Sequence, residues 1–139
     1  MKASIVIANY NSAKFIEDCI NSLKSQTYKN IEIIFFDDNS HDNSLEIIEK
    51  YKEVKVVKNK SQTNFGSLNQ INAFKKAIEL SSGDIIFLLD SDDYFHQNKI
   101  KKIIDIFLKN NEKMIIFDFP ILFKENEKIL TKGNKEKFN

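Results

Sequence analysis

Three aspartates within four residues, Asp90, Asp92 and Asp93, follow directly on the apolar run Ile85-Ile86-Phe87-Leu88-Leu89. Carboxylates this close repel one another, so the cluster is costly unless a cation is shared among them. Oxygen-only donors favour a hard ion such as Mg²⁺ or Mn²⁺, and such an ion commonly takes a phosphate ester as a further ligand. The apolar run reads as a strand buried on both faces, as in a parallel sheet. The acids would then lie at the strand's carboxyl end, where open α/β sheets bind their ligands. The chemistry implied is a metal-bridged nucleotide site. The plain alternative is a turn and helix cap, where Asp is common; three acids together weigh towards the metal.

Two further polar clusters follow apolar runs. Asn9-Tyr10-Asn11 comes after Ala3–Ala8, and Asp37-Asp38-Asn39-Ser40 after Ile31–Phe36. In a parallel sheet all three clusters share one rim and can converge on one ligand. Asp38 competes with an Asx-turn reading through Asn39-Ser40. Asp37 reads as structural, and Tyr10 suits either packing or contact with a ligand ring. His96 reads as a surface residue just before a helix, and Cys19 as a small core residue.

These clusters need elements to hold them. Apolar spacing predicts strands over Ala3–Ala8, Ile31–Phe36, Val54–Val57, Asp84–Leu89 and Met114–Phe119. Helical spacing predicts helices over Ala13–Ser25, Ser44–Tyr51, Ser67–Leu80 and Gln97–Lys109, the first capped by Asn11 or Ser12 and the second by Asp42. Strand and helix alternate, which implies a mostly parallel sheet with helices on both faces. From Lys124 the chain is rich in Lys and Glu; Lys128–Thr131 is a candidate edge strand there, and Lys132–Asn139 reads as frayed.

Composition narrows the classes. The 139 residues suffice for one domain with a core. A net charge of +1 gives no ground for a nucleic-acid partner. Every basic side chain apart from histidine is Lys, so no guanidinium is present to grip phosphate in two places; a diphosphate must rely on a metal, on Lys or on backbone N–H groups. One Cys excludes an internal disulfide, and two His with one Cys disfavour zinc. No apolar stretch is long enough for a signal peptide or a transmembrane span. The expected location is the cytoplasm, with work at the inner face of the membrane compatible as a peripheral protein.

The segments Ser4-Ile5-Val6-Ile7-Ala8-Asn9-Tyr10-Asn11, Ser22–Ile34 running into Asp37–Asp42, and Ala77–Ile86 running into Asp90-Ser91-Asp92-Asp93 carry a resemblance. In order and spacing, over roughly residues 3–95, the chain resembles the N-terminal, donor-binding part of a family 2 glycosyltransferase of the GT-A fold. The resemblance implies a nucleotide-sugar-binding domain over residues 1–123 and a charged tail over 124–139, without the C-terminal acceptor part. It implies an inverting, Mn²⁺- or Mg²⁺-dependent transfer from a nucleoside diphosphate sugar, UDP favoured, to a saccharide, lipid or protein acceptor. Asp38 would accept the N3–H of uracil, while Ala8 and Tyr10 would line the base pocket. Asp90 and Asp92 would form the DxD motif. Asp90 would reach the ribose or the metal, with Ser91 beside it at the nucleotide; Asp92 would bind the metal, and Asp93 would ligate or orient it.

The chain departs from the family pattern in three places. Ala8 stands where relatives often carry Pro or Thr. Phe74 and Lys75 stand where many have an Arg-Asn pair, and Gly66–Ala73 resembles a variant with Gln in that helix. None of the acids after Asp93 lies in a recognisable catalytic-base motif, so the base is unassigned. Two rival readings follow: a non-catalytic nucleotide-binding remnant, and a phosphatase of the haloacid dehalogenase type, in which a strand also ends in Asp-x-Asp.

Overall fold

A computed structural model describes residues 1–59, 66–110, 116, 122–124 and 127–129. It forms two compact units, Met1–Lys109 and Asn110–Asn139. In the first unit, strands β1 (Ala3–Asn9), β2 (Ile31–Asp37), β3 (Val54–Lys58) and β4 (Ile85–Asp90) alternate with helices α1 (Ala13–Lys24), α2 (Ser44–Ile48), α3 (Gly66–Glu79) and α4 (Lys99–Lys109). The strands form one parallel sheet in the order β3-β2-β1-β4. In the second unit β5 (Leu122–Lys124) pairs antiparallel with β6 (Glu127–Ile129). The candidate edge strand at Lys128–Thr131 overlaps β6. Apart from Ile116, the strand expected at Met114–Phe119 lies outside the described residues, as does Lys132–Asn139.

The alternation of side chains along each strand builds two apolar layers. Ile5, Ile7, Ile33, Phe35, Phe87 and Leu89 meet Ile16, Ile20 and Leu23 of α1, Ile48 of α2, and Ile100 and Ile104 of α4. On the other face Val6, Ala8, Ile34 and Phe36 meet Ala73 and Ala77 of α3. Helices therefore cover both faces, as the alternation predicts.

The expectation that β4 is buried on both faces is corrected. Ile86 is 39% and Leu88 53% exposed. The reason is position. Among the described strands β4 is an edge, and α3 lies over β1 and β2 rather than over β4. A continuous apolar run cannot distinguish an edge strand from a central one.

Helix starts also differ from the capping expectation. Ser12 is at the N-cap of α1, yet its side chain makes no cap hydrogen bond. The donor there, Ala13 N–H, is taken by Asp42 Oδ2 at 2.9 Å. Asp42 Oδ1 accepts from Ser44 N–H at 3.0 Å and from the Ser44 hydroxyl. One carboxylate thus serves the starts of both α1 and α2. Burial works against its charge, but these hydrogen bonds outweigh that and hold its pKa below the ordinary value.

At the end of the sheet away from the acids, Gly83 packs against β1. A Cβ there would come within 2.5 Å of Ser4 Oγ and 2.7 Å of Ser4 N, so only glycine fits this approach.

Candidate active site

Register decides which side chains meet. Asn9 of β1 pairs with Asp37 of β2, and Ala8 of β1 pairs with Asp90 of β4. All three strands therefore end at one level. The next residues, Tyr10, Asp38 and Ser91, stand on a common rim. Two backbone bonds fix it: Asp38 N–H to Asn9 C=O at 2.9 Å, and Ser91 N–H to Ala8 C=O at 3.1 Å. Asn11 and Asn39 take positive φ values of 50° and 58° as the chain turns away from β1 and β2. Asn tolerates that left-handed region better than most residues.

Beneath the rim is a second polar layer. Asn9 Nδ2 donates to Asp37 Oδ1 at 2.7 Å and to Ser40 Oγ at 3.0 Å. Ser40 donates its hydroxyl to Asp37 Oδ1 and its N–H to Oδ2. Asp37 is fully buried and spent on these bonds, which agrees with its structural reading. Asn9 Oδ1, also buried, has no hydrogen-bond partner among the described residues.

A cleft of about 480 Å³ opens on the rim. Ala8, Asn9, Tyr10, Ser12, Asp38, Asp90, Ser91 and Asp92 line one side, and Gly66, Asn69, Gln70 and Ala73 of α3 the other. Of the residues singled out in the sequence, Ala8, Tyr10, Asp38, Asp90, Ser91 and Asp92 thus lie around one cleft. Asp93 does not line the cleft. Tyr10 is 51% exposed at its lip, so it is not a packing residue of the core. His96 is exposed, its Nδ1 accepting Asn98 N–H at 3.3 Å, and Cys19 is buried in α1.

Sequence reasoning missed the amides. Gln70 Nε2 donates to Asp90 Oδ1 at 2.8 Å, and Asn59 Nδ2 donates to Asp38 Oδ1 at 2.7 Å. The only hint was the Gln in the Gly66–Ala73 segment. Asn59 immediately follows β3 and carried no signal of its own.

Burial raises the pKa of Asp90; the Gln70 hydrogen bond opposes this, and the Asp92 charge adds to it. Burial raises Asp93 as well, followed by the charges of Asp92 and Asp90. Burial, together with the charges of Asp93, Asp92 and Asp90, pushes the Cys19 thiol up to about 12. A thiol held neutral in this way is an inert core group.

Glycosyl transferase family 2 matches the chain over residues 4–136. The chain belongs to this family. It is 36% identical over 128 residues to the UDP-Glc:alpha-D-GlcNAc-diphosphoundecaprenol beta-1,3-glucosyltransferase WfaP of Escherichia coli, covering 92% of this chain and 49% of that one. Among solved structures, S. aureus TarS 1-349 in complex with UDP superposes with a TM-score of 0.69 at 28% identity, over 78% of this chain and 32% of that one. The mannosyltransferase PcManGT of Pyrobaculum calidifontis, solved with GDP-Man and Mn²⁺, shares the fold with a TM-score of 0.67 at 16% identity. The fold of the first unit is the N-terminal, parallel-sheet part of GT-A glycosyltransferases. The chain spans about half the length of WfaP and about a third of TarS 1-349. No described helix is long and apolar enough to cross a membrane.

Proposed function

We propose that this chain is the donor-binding part of a metal-dependent, inverting glycosyltransferase that takes a UDP-sugar. The observation that carries the reading is one cleft shared by Asp38, Asp90 and Asp92. Asp38 would accept the imide N–H of uracil, which an ionised carboxylate suits because it offers only acceptors. Tyr10 and Ala8 would flank the base. Asp90 and Ser91 would face the ribose and phosphates. The UDP complex of TarS supports this choice of nucleotide.

The donor set fits a hard divalent cation: Asp90 and Asp92 supply only oxygen, and no Arg is present to neutralise a diphosphate. Among the described residues no three His, Cys, Asp or Glu side chains gather into a metal centre. Asp90 and Asp92 would hold Mn²⁺ or Mg²⁺ together with the two phosphates, and Asp93, outside the cleft lining, would orient that loop. When bound, the ion offsets the charge that builds on the leaving nucleoside diphosphate. The acceptor, a saccharide, lipid or protein hydroxyl, and the base that activates it are not assigned to residues of this chain. The proposed place of work is the cytoplasm or the inner membrane face; the name of WfaP gives a diphosphoundecaprenol-linked sugar as that enzyme's substrate.

Calorimetry with UDP tests the reading. Binding should tighten about tenfold or more when Mn²⁺ is added, and Asp92→Ala should abolish the gain, a loss of about 1.4 kcal/mol or more. Equal affinity with and without the ion, or an unchanged gain in Asp92→Ala, would remove the metal-bridged reading.

A further inference from the structure

We infer that Asn59 is a specificity-determining residue of the donor site, one that positions Asp38 so that the cleft accepts a nucleobase N–H and rejects a ring nitrogen acceptor. The inference rests on reading the cleft as a UDP-sugar site. Asn59 itself would not touch the base; it acts through Asp38.

The geometry is a three-part relay. Lys76 of α3 crosses the Phe36 ring, its Nζ 5.8 Å from the centroid, and donates to Asn59 Oδ1 at 3.3 Å. Asn59 Nδ2 then donates to Asp38 Oδ1 at 2.7 Å. Lysine has only donors and an ionised carboxylate only acceptors. Both neighbours therefore demand the same amide orientation, with the carbonyl towards Lys76 and the NH₂ towards Asp38. The usual ambiguity of an Asn side chain is absent here.

The choice of an amide matters. An amide between Lys76 and Asp38 passes on the orientation without bringing the Lys76 ammonium onto the carboxylate. Asp38 is 5% exposed, so its side chain is boxed in at the cleft wall. Asn59 takes one of the roughly four lone-pair sites a carboxylate offers. An acceptor held in this way meets the imide N–H of uracil. It opposes the ring nitrogen of cytosine, which is itself an acceptor. A site built to receive a specific hydrogen bond discriminates strongly, because a base that presents an acceptor to the carboxylate makes no bond there and sets lone pair against lone pair.

A purely structural role can be separated from this one. Asn59 also closes the end of β3 through its backbone, Asn59 N–H to Asp37 C=O at 2.8 Å. That bond survives truncation of the side chain, so Asn59→Ala removes the relay and keeps the closure.

The test is calorimetry of UDP and of CDP, each with MnCl₂, on the full chain, on Asn59→Ala and on Lys76→Met, with thermal melting of all three. The parent should prefer UDP by about tenfold or more. Asn59→Ala should weaken UDP by about tenfold and leave CDP within about twofold, so that the preference collapses. Lys76→Met should reduce the preference part-way. An unchanged UDP-to-CDP ratio in an Asn59→Ala protein that melts like the parent overturns the inference. Should Asn59→Ala unfold, an unchanged ratio in Lys76→Met does the same. A parent that binds UDP and CDP equally overturns the inference alone, and a parent that binds neither overturns the donor-site reading with it.

Discussion

Burial lifts the Asp90 carboxyl above its ordinary range; the bond from Gln70 offsets part of this and the charge of Asp92 adds to it. A carboxylate raised in the folded state is more costly as an anion there than in the unfolded chain, so at neutral pH its charge opposes folding. Asp90→Asn removes that charge and keeps an oxygen for Gln70 to bond. Thermal melting without ligand should therefore show a small gain, under about 1 kcal/mol after allowance for solvent screening. The same variant should lose the Mn²⁺-dependent part of UDP binding. A melting temperature that falls would show that the acid cluster is not under the electrostatic strain described. This is the usual opposition between a stable fold and a poised site. At this scale the sequence is readable where chemistry is unusual. Asp38, Asp90 and Asp92 announce themselves because acids rarely cluster after apolar runs. Asn59 and Gln70 do not, because amides are common and these two meet their acids across 21 and 20 residues of chain.

At the scale of elements, the loop from Ser91 to Asn98 must be held for the acids to face the cleft. The anchor is Gln26, fully buried just after α1. Its Nε2 donates to Ser22 C=O at 3.1 Å and to His96 C=O at 3.0 Å, and its Oε1 accepts Ile100 N–H at 3.2 Å. It satisfies one of the open N–H groups at the start of α4 and pins the loop from below. Ser22 Oγ adds a bond from Phe95 N–H at 3.1 Å, and Gln97 C=O accepts Thr27 N–H at 2.9 Å. Gln26→Leu has a similar volume but leaves these groups unmet inside the protein. It should cost about 2–3 kcal/mol in denaturant unfolding and should weaken UDP binding as the loop loosens. A change below about 0.5 kcal/mol would mean that the loop holds itself. Strands and helices were legible because their apolar periods are strong; all eight elements of the first unit fall within a few residues of their expected bounds. What the pattern could not carry was lateral position. Ile86 and Leu88 look like core in sequence, and become a partly open face only because of where β4 falls in the sheet order. Nor could local rules find that α1 borrows its cap from Asp42, 29 residues on.

For the first unit as a whole, the sheet has two rims under opposite electrostatic regimes. At the cleft, Asp90, Asp92 and Asp93 gather, and burial together with their mutual charge raises Asp90 and Asp93. At the far rim, Glu32 of β2 is clasped by Lys2 Nζ at 2.7 Å, by the Ser4 hydroxyl, and by Ser82 N–H at 2.6 Å. Burial works against its charge, but the bonds from Lys2, Ser4 and Ser82 prevail and hold it down to about 2, from an ordinary 4.5. The clasp joins β1, β2 and the entry to β4. A depressed carboxyl lends stability that is complete above its unfolded value and vanishes as pH falls towards its folded one. The window is therefore about pH 4.5 down to about 2. Since Glu32 is partly open to solvent, Glu32→Gln should cost only about 1 kcal/mol at neutral pH. The gap between the two proteins in denaturant melts should narrow through that window and close near its lower end. Asp90, being raised, gains its proton at higher pH than an ordinary aspartate. On the proposed donor-site reading, acidification should therefore weaken Mn²⁺-dependent UDP binding before it opens the clasp at the far rim. Parallel titrations of Mn²⁺-dependent UDP binding and of unfolding free energy would show the order. Simultaneous loss of both would mean that the two rims fail as one unit rather than in sequence.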